Sequence, residues 1–231
     1  MELTYFFLAS IVAKTHIVLP QANQITANLF HSKKLTCLGA RYRQHLVLTA
    51  ASCIHLPIAE YLVVIKTNRS LEFSAIHQVI PHPLRSDYHA MYDIAILKTK
   101  GFRSPDPGLN LMQQEAEILN QGVFLFGWYQ PSGSWNHYVA PRRISVKLDK
   151  LESCQDTTLM MVIPYVVLCG HTLTQPHLSF TRPPGSPLLQ YRGDDLILVG
   201  ISARRLTSKT SHILFSNIAM VNSWIYKDLY L

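Results

Sequence analysis

Leu46-Val-Leu-Thr-Ala-Ala-Ser-Cys53 opens on four residues, Leu46 to Thr49, that are apolar or β-branched and too few for a helix, and closes on a cysteine. Such a run reads as a short buried strand. The same signal recurs outward in both directions: Tyr61-Leu-Val-Val-Ile65, Ile94-Ala-Ile-Leu97, Val123-Phe-Leu-Phe126, Ile144-Ser-Val-Lys-Leu148, Leu196-Ile-Leu-Val199 and Ile213-Leu-Phe215. Turn formers separate these runs at Pro81-His-Pro83, Ser104-Pro-Asp-Pro-Gly108, Pro131-Ser-Gly133 and Arg192-Gly-Asp194. Many short strands at near-regular spacing predict an all-β barrel or sandwich. One helix is expected, over 216–231, where Ile218, Val221, Ile225 and Leu229 recur at helical steps, Trp224 widens the stripe and Ser216 or Asn217 can cap. The proline-bearing stretch 104–119 suits a linker between two halves.

Composition narrows the class. The chain has 231 residues, 48% hydrophobic and 15% charged, which excludes disorder as the dominant state. No apolar run reaches the roughly 18 residues of a membrane span, and no self-similar period points to a solenoid. The net charge is +7, but the basic residues are scattered, with Lys33-Lys34, Arg142-Arg143 and Arg204-Arg205 as the adjacent pairs. Without a zinc-finger spacing or a basic helix, no nucleic-acid partner is expected. Eleven histidines show no HxxxH or HExxH spacing. His77, His82 and His89, and separately His171 and His177, therefore read as turn or surface residues, and neither metal nor other cofactor is expected. The four cysteines, Cys37, Cys53, Cys154 and Cys169, form no CxxC and fit two disulfides, for which three pairings are possible. Residues 1–13 are apolar over the length of a signal-peptide core, although Glu2 and Ile11 fit one poorly; the alternative is a buried first strand. Asn68-Arg-Ser70 is a glycosylation sequon, compatible with secretion.

Several segments, in order, resemble the chymotrypsin-like serine proteases. Leu48-Thr-Ala-Ala-Ser-Cys53 is similar to the family's LTAAHC, Tyr92-Asp-Ile-Ala-Ile-Leu97 to NDIALL, Phe126-Gly-Trp128 to the start of GWG, Gly185-Ser-Pro-Leu188 to the tail of GDSGGPL, and Val199-Gly-Ile-Ser202 to VGIVS; Trp224-Ile225 matches the closing helix. The resemblance implies two six-stranded antiparallel β-barrels, at about 26–110 and 118–215, followed by the helix, within one homology domain over 14–231. It also implies the pairings Cys37–Cys53 and Cys154–Cys169, and a secreted protein.

The same resemblance places the chemistry, and there the residues depart from the family. A serine protease needs a hydroxyl nucleophile, an imidazole base, a carboxylate to hold that base, and two backbone N–H donors for the oxyanion. The base position is Ser52, and a serine hydroxyl is no base near pH 7. The carboxylate position keeps Asp93, to which Ser52 is a candidate donor. The nucleophile position is Pro184, which has neither a hydroxyl nor an N–H. Pro183 stands where an activating cut would need an aspartate, and Leu178 replaces the acid of a trypsin-like pocket. A register shift between His171 and Arg182 is the alternative. Ser186 is a poor substitute nucleophile because proline follows it.

These departures point to an inactive homologue. The resemblance implies that such a homologue is secreted and binds a protein partner, an active serine protease or its substrate, as cofactor, scaffold or decoy in an extracellular immune or reproductive pathway, and a monomer is expected. Arg142, Arg143 and Arg204 are the candidate contact residues. The competing expectations are a basic adhesive module for acidic glycans or membrane surfaces, and a hydrolase with rebuilt chemistry at Ser52 or Ser186.

Overall fold

The structure, a computed structural model, describes residues 22–55, 57–67, 70–86, 91–114, 122–129, 142–154, 165–173, 180–181, 183–203 and 212–229. Residues 1–13, Asn68, His89, His177, Leu178, Arg182 and Arg204 lie outside them. After a single helical turn, α1 (Ala22–Ile25), six strands follow: β1 (Thr26–His31), β2 (Lys34–Arg43), β3 (Leu46–Thr49), β4 (Tyr61–Lys66), β5 (Leu71–Pro81) and β6 (Ala95–Thr99). They close into a barrel in the order β1-β2-β3-β6-β5-β4, every neighbouring pair antiparallel.

The second half contributes β7 (Leu109–Leu111), β8 (Val123–Tyr129), β9 (Arg142–Asp149), β10 (Val167–Thr172), β11 (Phe180–Thr181), β12 (Pro187–Arg192), β13 (Asp195–Ser202) and β14 (His212–Asn217). The path β8-β12-β13-β14-β10-β9 returns to β8 through the β8–β9 pairing, so six antiparallel strands close the second barrel. β11 adds to the edge of β8, and β7 runs parallel to β13. The chain therefore has two six-stranded antiparallel barrels and a C-terminal helix, α2 (Ile218–Leu229).

The strand signals succeed where inward positions are aliphatic. Along β9, Ile144 and Val146 are buried while Ser145 and Lys147 are exposed, the two-residue alternation of a half-buried strand. The longest strand, β5, has no counterpart among the strand runs of the sequence, because Glu72, Ser74, His77 and Gln78 interrupt its apolar residues. Pairing to β4 on one side and β6 on the other supplies its order instead. The helix begins two residues later than its sequence pattern suggests. Ser216 and Asn217 belong to β14, and the Asn217 side-chain oxygen accepts a hydrogen bond from the Ala219 N–H, capping α2. The apolar stripe packs as expected, with Ile218, Val221 and Ile225 all at most 1% exposed.

The segment between the barrels is tied down by buried charge. Arg41 on β2 is fully buried, and its guanidinium donates to the Ser104 hydroxyl (2.9 Å) and carbonyl (2.5 Å). The Glu72 carboxylate accepts the backbone N–H groups of Arg103 and Ser104. Beyond this clamp, β7 joins the second sheet, and the Asn222 side chain of α2 donates to the Met112 carbonyl.

His82 links the first barrel to α2. Its ring stacks on Tyr92 (4.4 Å between centroids, 6° between planes) and meets Trp224 edge-on at 4.7 Å. Nδ1 accepts the Leu84 N–H, which requires a neutral ring at that nitrogen. Burial lowers its pKa below the ordinary imidazole value. Between that lowered value and the ordinary value near 6.5, the unfolded chain binds more protons than the folded one. This contribution to stability is therefore complete above about pH 6.5 and is lost as the pH falls through the folded pKa, by at most about 1.4 kcal/mol per pH unit. Urea midpoints at pH 7.5 and 5.5 should differ more in the native protein than in His82→Phe.

Candidate active-site region

The site is built where the loop before β12 meets β2 and β3. The Pro184 carbonyl accepts the N–H of Leu38 on β2 (3.0 Å). Gly185 follows at φ +83°, and a Cβ there would lie 2.0 Å from the Leu38 carbonyl oxygen and 2.4 Å from the Thr49 hydroxyl. That hydroxyl itself donates to the Leu38 carbonyl (2.6 Å). Thr49 ends β3 and leads into the 3-10 turn Ala51–Cys53, which carries Ser52. The Cys37–Cys53 disulfide ties this turn back to β2, and Cys154 and Cys169 form the second bridge.

Asp93 reaches the turn from the other side. It is 4% exposed, and its two carboxylate oxygens accept one hydrogen bond each from Ser52, from the backbone N–H (2.7 Å) and from the hydroxyl (2.7 Å). A buried carboxylate needs such partners to offset its lost hydration. The preceding Tyr92 sits at φ +53°, a conformation costly for a bulky side chain, and its stack on His82 helps to hold it there. The sequence readings thus converge on one contact: Ser52 and Asp93, expected as donor and acceptor, are joined by two hydrogen bonds.

The Pro183–Ser186 segment is committed to structural hydrogen bonds. The buried Pro183 carbonyl accepts the hydroxyls of Ser186 (2.8 Å) and Ser202 (3.1 Å), and the Gly185 N–H donates to the Ser202 carbonyl. Ser186 is fully buried and its N–H donates to the Ser202 hydroxyl, so the alternative nucleophile faces the interior. Leu38 does not stand out in the sequence, and Thr49 and Ser202 fall within quoted motifs without any sign of this role; strand residues with ordinary side chains carry no local signal for a contact made across two barrels.

Of the candidate binding arginines, Arg142 and Arg143 are exposed at the start of β9. The Arg143 guanidinium lies over the Phe124 ring at 4.0 Å and 5.5 Å from the Tyr191 centroid, a cation–π stack that fixes its position. A second surface has no signal in the sequence. Phe73 (60% exposed), Leu62 and Leu71 are exposed along β4 and β5, and with Phe30 and Val64 they line a shallow, mainly apolar groove of about 370 Å³. Among the described residues, no helix is long and apolar enough to cross a membrane.

Comparison with known proteins agrees with this architecture. The family model for trypsin matches residues 18–225. Among solved structures, neuropsin, a serine protease expressed in the limbic system of mouse brain, superposes with a TM-score of 0.68 at 19% identity, covering 91% of this chain and 96% of that one. No curated protein sequence matches. With the trypsin model spanning most of its length and both barrels in place, this chain belongs to the trypsin family of serine proteases.

Proposed function

We propose that this trypsin-family chain is a secreted, non-catalytic member that acts by binding a protein partner outside the cell, an active serine protease or its substrate. The observation that carries the reading is the double hydrogen bond between Ser52 and Asp93. In an acyl-transfer site this carboxylate would orient an imidazole, and the imidazole would take the nucleophile's proton. Here the carboxylate is occupied by a backbone N–H and a hydroxyl that have no basic function near neutral pH. Pro184 supplies neither an attacking oxygen nor an N–H for an oxyanion, and loss of one such donor alone costs about 100–1000-fold in turnover. The two disulfides suit an oxidising, extracellular setting. The fixed Arg143, with Arg142 beside it, and the exposed apolar face of β4 and β5 are surfaces of the kind that protein partners cover.

Incubation with a fluorophosphonate, read by intact-mass spectrometry, tests the catalytic half of this reading. The expected spectrum shows the unmodified chain at all times, beside an active trypsin that labels one-to-one. A stoichiometric adduct on this chain would overturn the proposal, and peptide mapping of the adduct would identify the live serine.

A further inference from the structure

A cluster of metal-ligating side chains lies in the second barrel, on strands outside the site described above. His171 on β10 and His212 on β14 are direct partners across the β10–β14 ladder. Asp149, at the end of β9, pairs with Cys169, two residues before His171. Side chains two apart on a strand, and side chains directly opposite on a neighbour, share one face of a sheet. The register therefore delivers all three groups to one spot. His171 Nδ1 lies 2.5 Å from Asp149 Oδ2, and His212 Nε2 lies 3.5 Å from the same oxygen. The two imidazole rings are 5.6 Å apart between centroids. One donor atom from each of the three residues falls within 4.8 Å of the other two.

We propose that Asp149, His171 and His212 form a binding site for a divalent transition-metal ion of the zinc type. Two imidazoles and one carboxylate are the donor set that such ions take, whereas calcium and magnesium prefer all-oxygen sites. A tetrahedral zinc ion with ligands at about 2.0–2.1 Å places its donors about 3.3–3.4 Å apart. The 2.5 Å and 3.5 Å contacts bracket that spacing, so small side-chain rotations convert the hydrogen-bonded cluster into a coordination shell. Ligation through Nδ1 of His171 leaves its ring proton on Nε2.

The side chains retain 15% exposure at Asp149, 31% at His171 and 26% at His212, enough for an ion to enter and for a fourth ligand to come from water. The frame is rigid. The Cys154–Cys169 disulfide anchors β10 two residues from His171, and Cys154 contacts the carbonyl of Ile213, next to His212. Lys147 opposes His171 on β9 and Lys150 follows Asp149; both are exposed, so solvent screens their charge. The histidine spacing gives no sign of this site because the ligands come from three strands separated by long stretches of chain.

The test uses the untagged protein. Cobalt(II) titration is expected to give visible bands of a tetrahedral site that saturate at one equivalent and are displaced by zinc. Zinc should raise the thermal midpoint, since binding favours the folded state, and a chelator should reverse the rise. Substituting either His212→Gln or Asp149→Asn should weaken zinc binding at least about 10–100-fold in competition with a chromogenic chelator, while His77→Gln on β5 leaves it unchanged. Absence of tetrahedral cobalt bands and of any thermal shift at millimolar metal would overturn the proposal, as would unchanged affinity in His212→Gln. Should that variant fail to fold, the cobalt spectrum of the native protein and the affinity of His171→Asn decide the question in the same way.

Discussion

Gly185→Ala is expected to remove about 2–5 kcal/mol of stability, a large share of the 5–15 kcal/mol typical of a folded domain. Two effects add. The backbone at Gly185 is at φ +83°, where an L side chain is strained by roughly 1–2 kcal/mol. The new Cβ would also stand 2.0 Å from the Leu38 carbonyl oxygen and 2.4 Å from the Thr49 hydroxyl. Neither can retreat cheaply: the first is backbone within β2, and the second is hydrogen-bonded to it. Overpacking of this kind costs about 1–3 kcal/mol or more. Gly193→Ala is the matched control. Gly193 has φ +59° in the turn between β12 and β13, with no atom near its missing Cβ, so only the strain of about 1 kcal/mol applies. Urea unfolding of the two variants separates the terms. Equal losses would show that the 183–186 loop is not held against β2 and β3.

Asp93→Ala should cost about 3–5 kcal/mol, and Ser52→Ala about 1.5–3 kcal/mol. The first removes the acceptor of two short hydrogen bonds and leaves the Ser52 N–H in a buried turn without it; the second removes one charge-assisted bond and keeps the other. The two changes act on one contact, so the double variant should be less destabilised than the sum of the singles, with a coupling of about 0.5–3 kcal/mol. Denaturant midpoints for the four proteins yield this coupling directly. A coupling near zero would mean that Asp93 draws its stability from other groups and that the Ser52–Asp93 pair does not support the turn.

The all-β class, the closing helix and the motif order were legible in the linear sequence because they depend on local patterns. Runs such as Leu46–Thr49 and Leu196–Val199 are apolar over strand length, and the stripe of Ile218, Val221 and Ile225 has helical spacing. The residue types at Ser52 and Pro184 needed no coordinates, since a serine carries no imidazole and a proline neither a hydroxyl nor an N–H; the roles assigned to the two positions rest on the resemblance. Tertiary structure decided what rests on pairing at long range. β5 is ordered by its two neighbours despite the polar residues that interrupt its apolar ones, since a strand within a closed barrel satisfies its backbone on both edges. Arg41 is buried because the crossover brings Ser104 to its guanidinium. His171 meets His212 and Asp149 only through the register of β9, β10 and β14, and a one-residue slip on any of them would turn its ligand to the opposite face. Composition and spacing report which groups a chain carries; the hydrogen-bonded register of its strands determines which of them share a face.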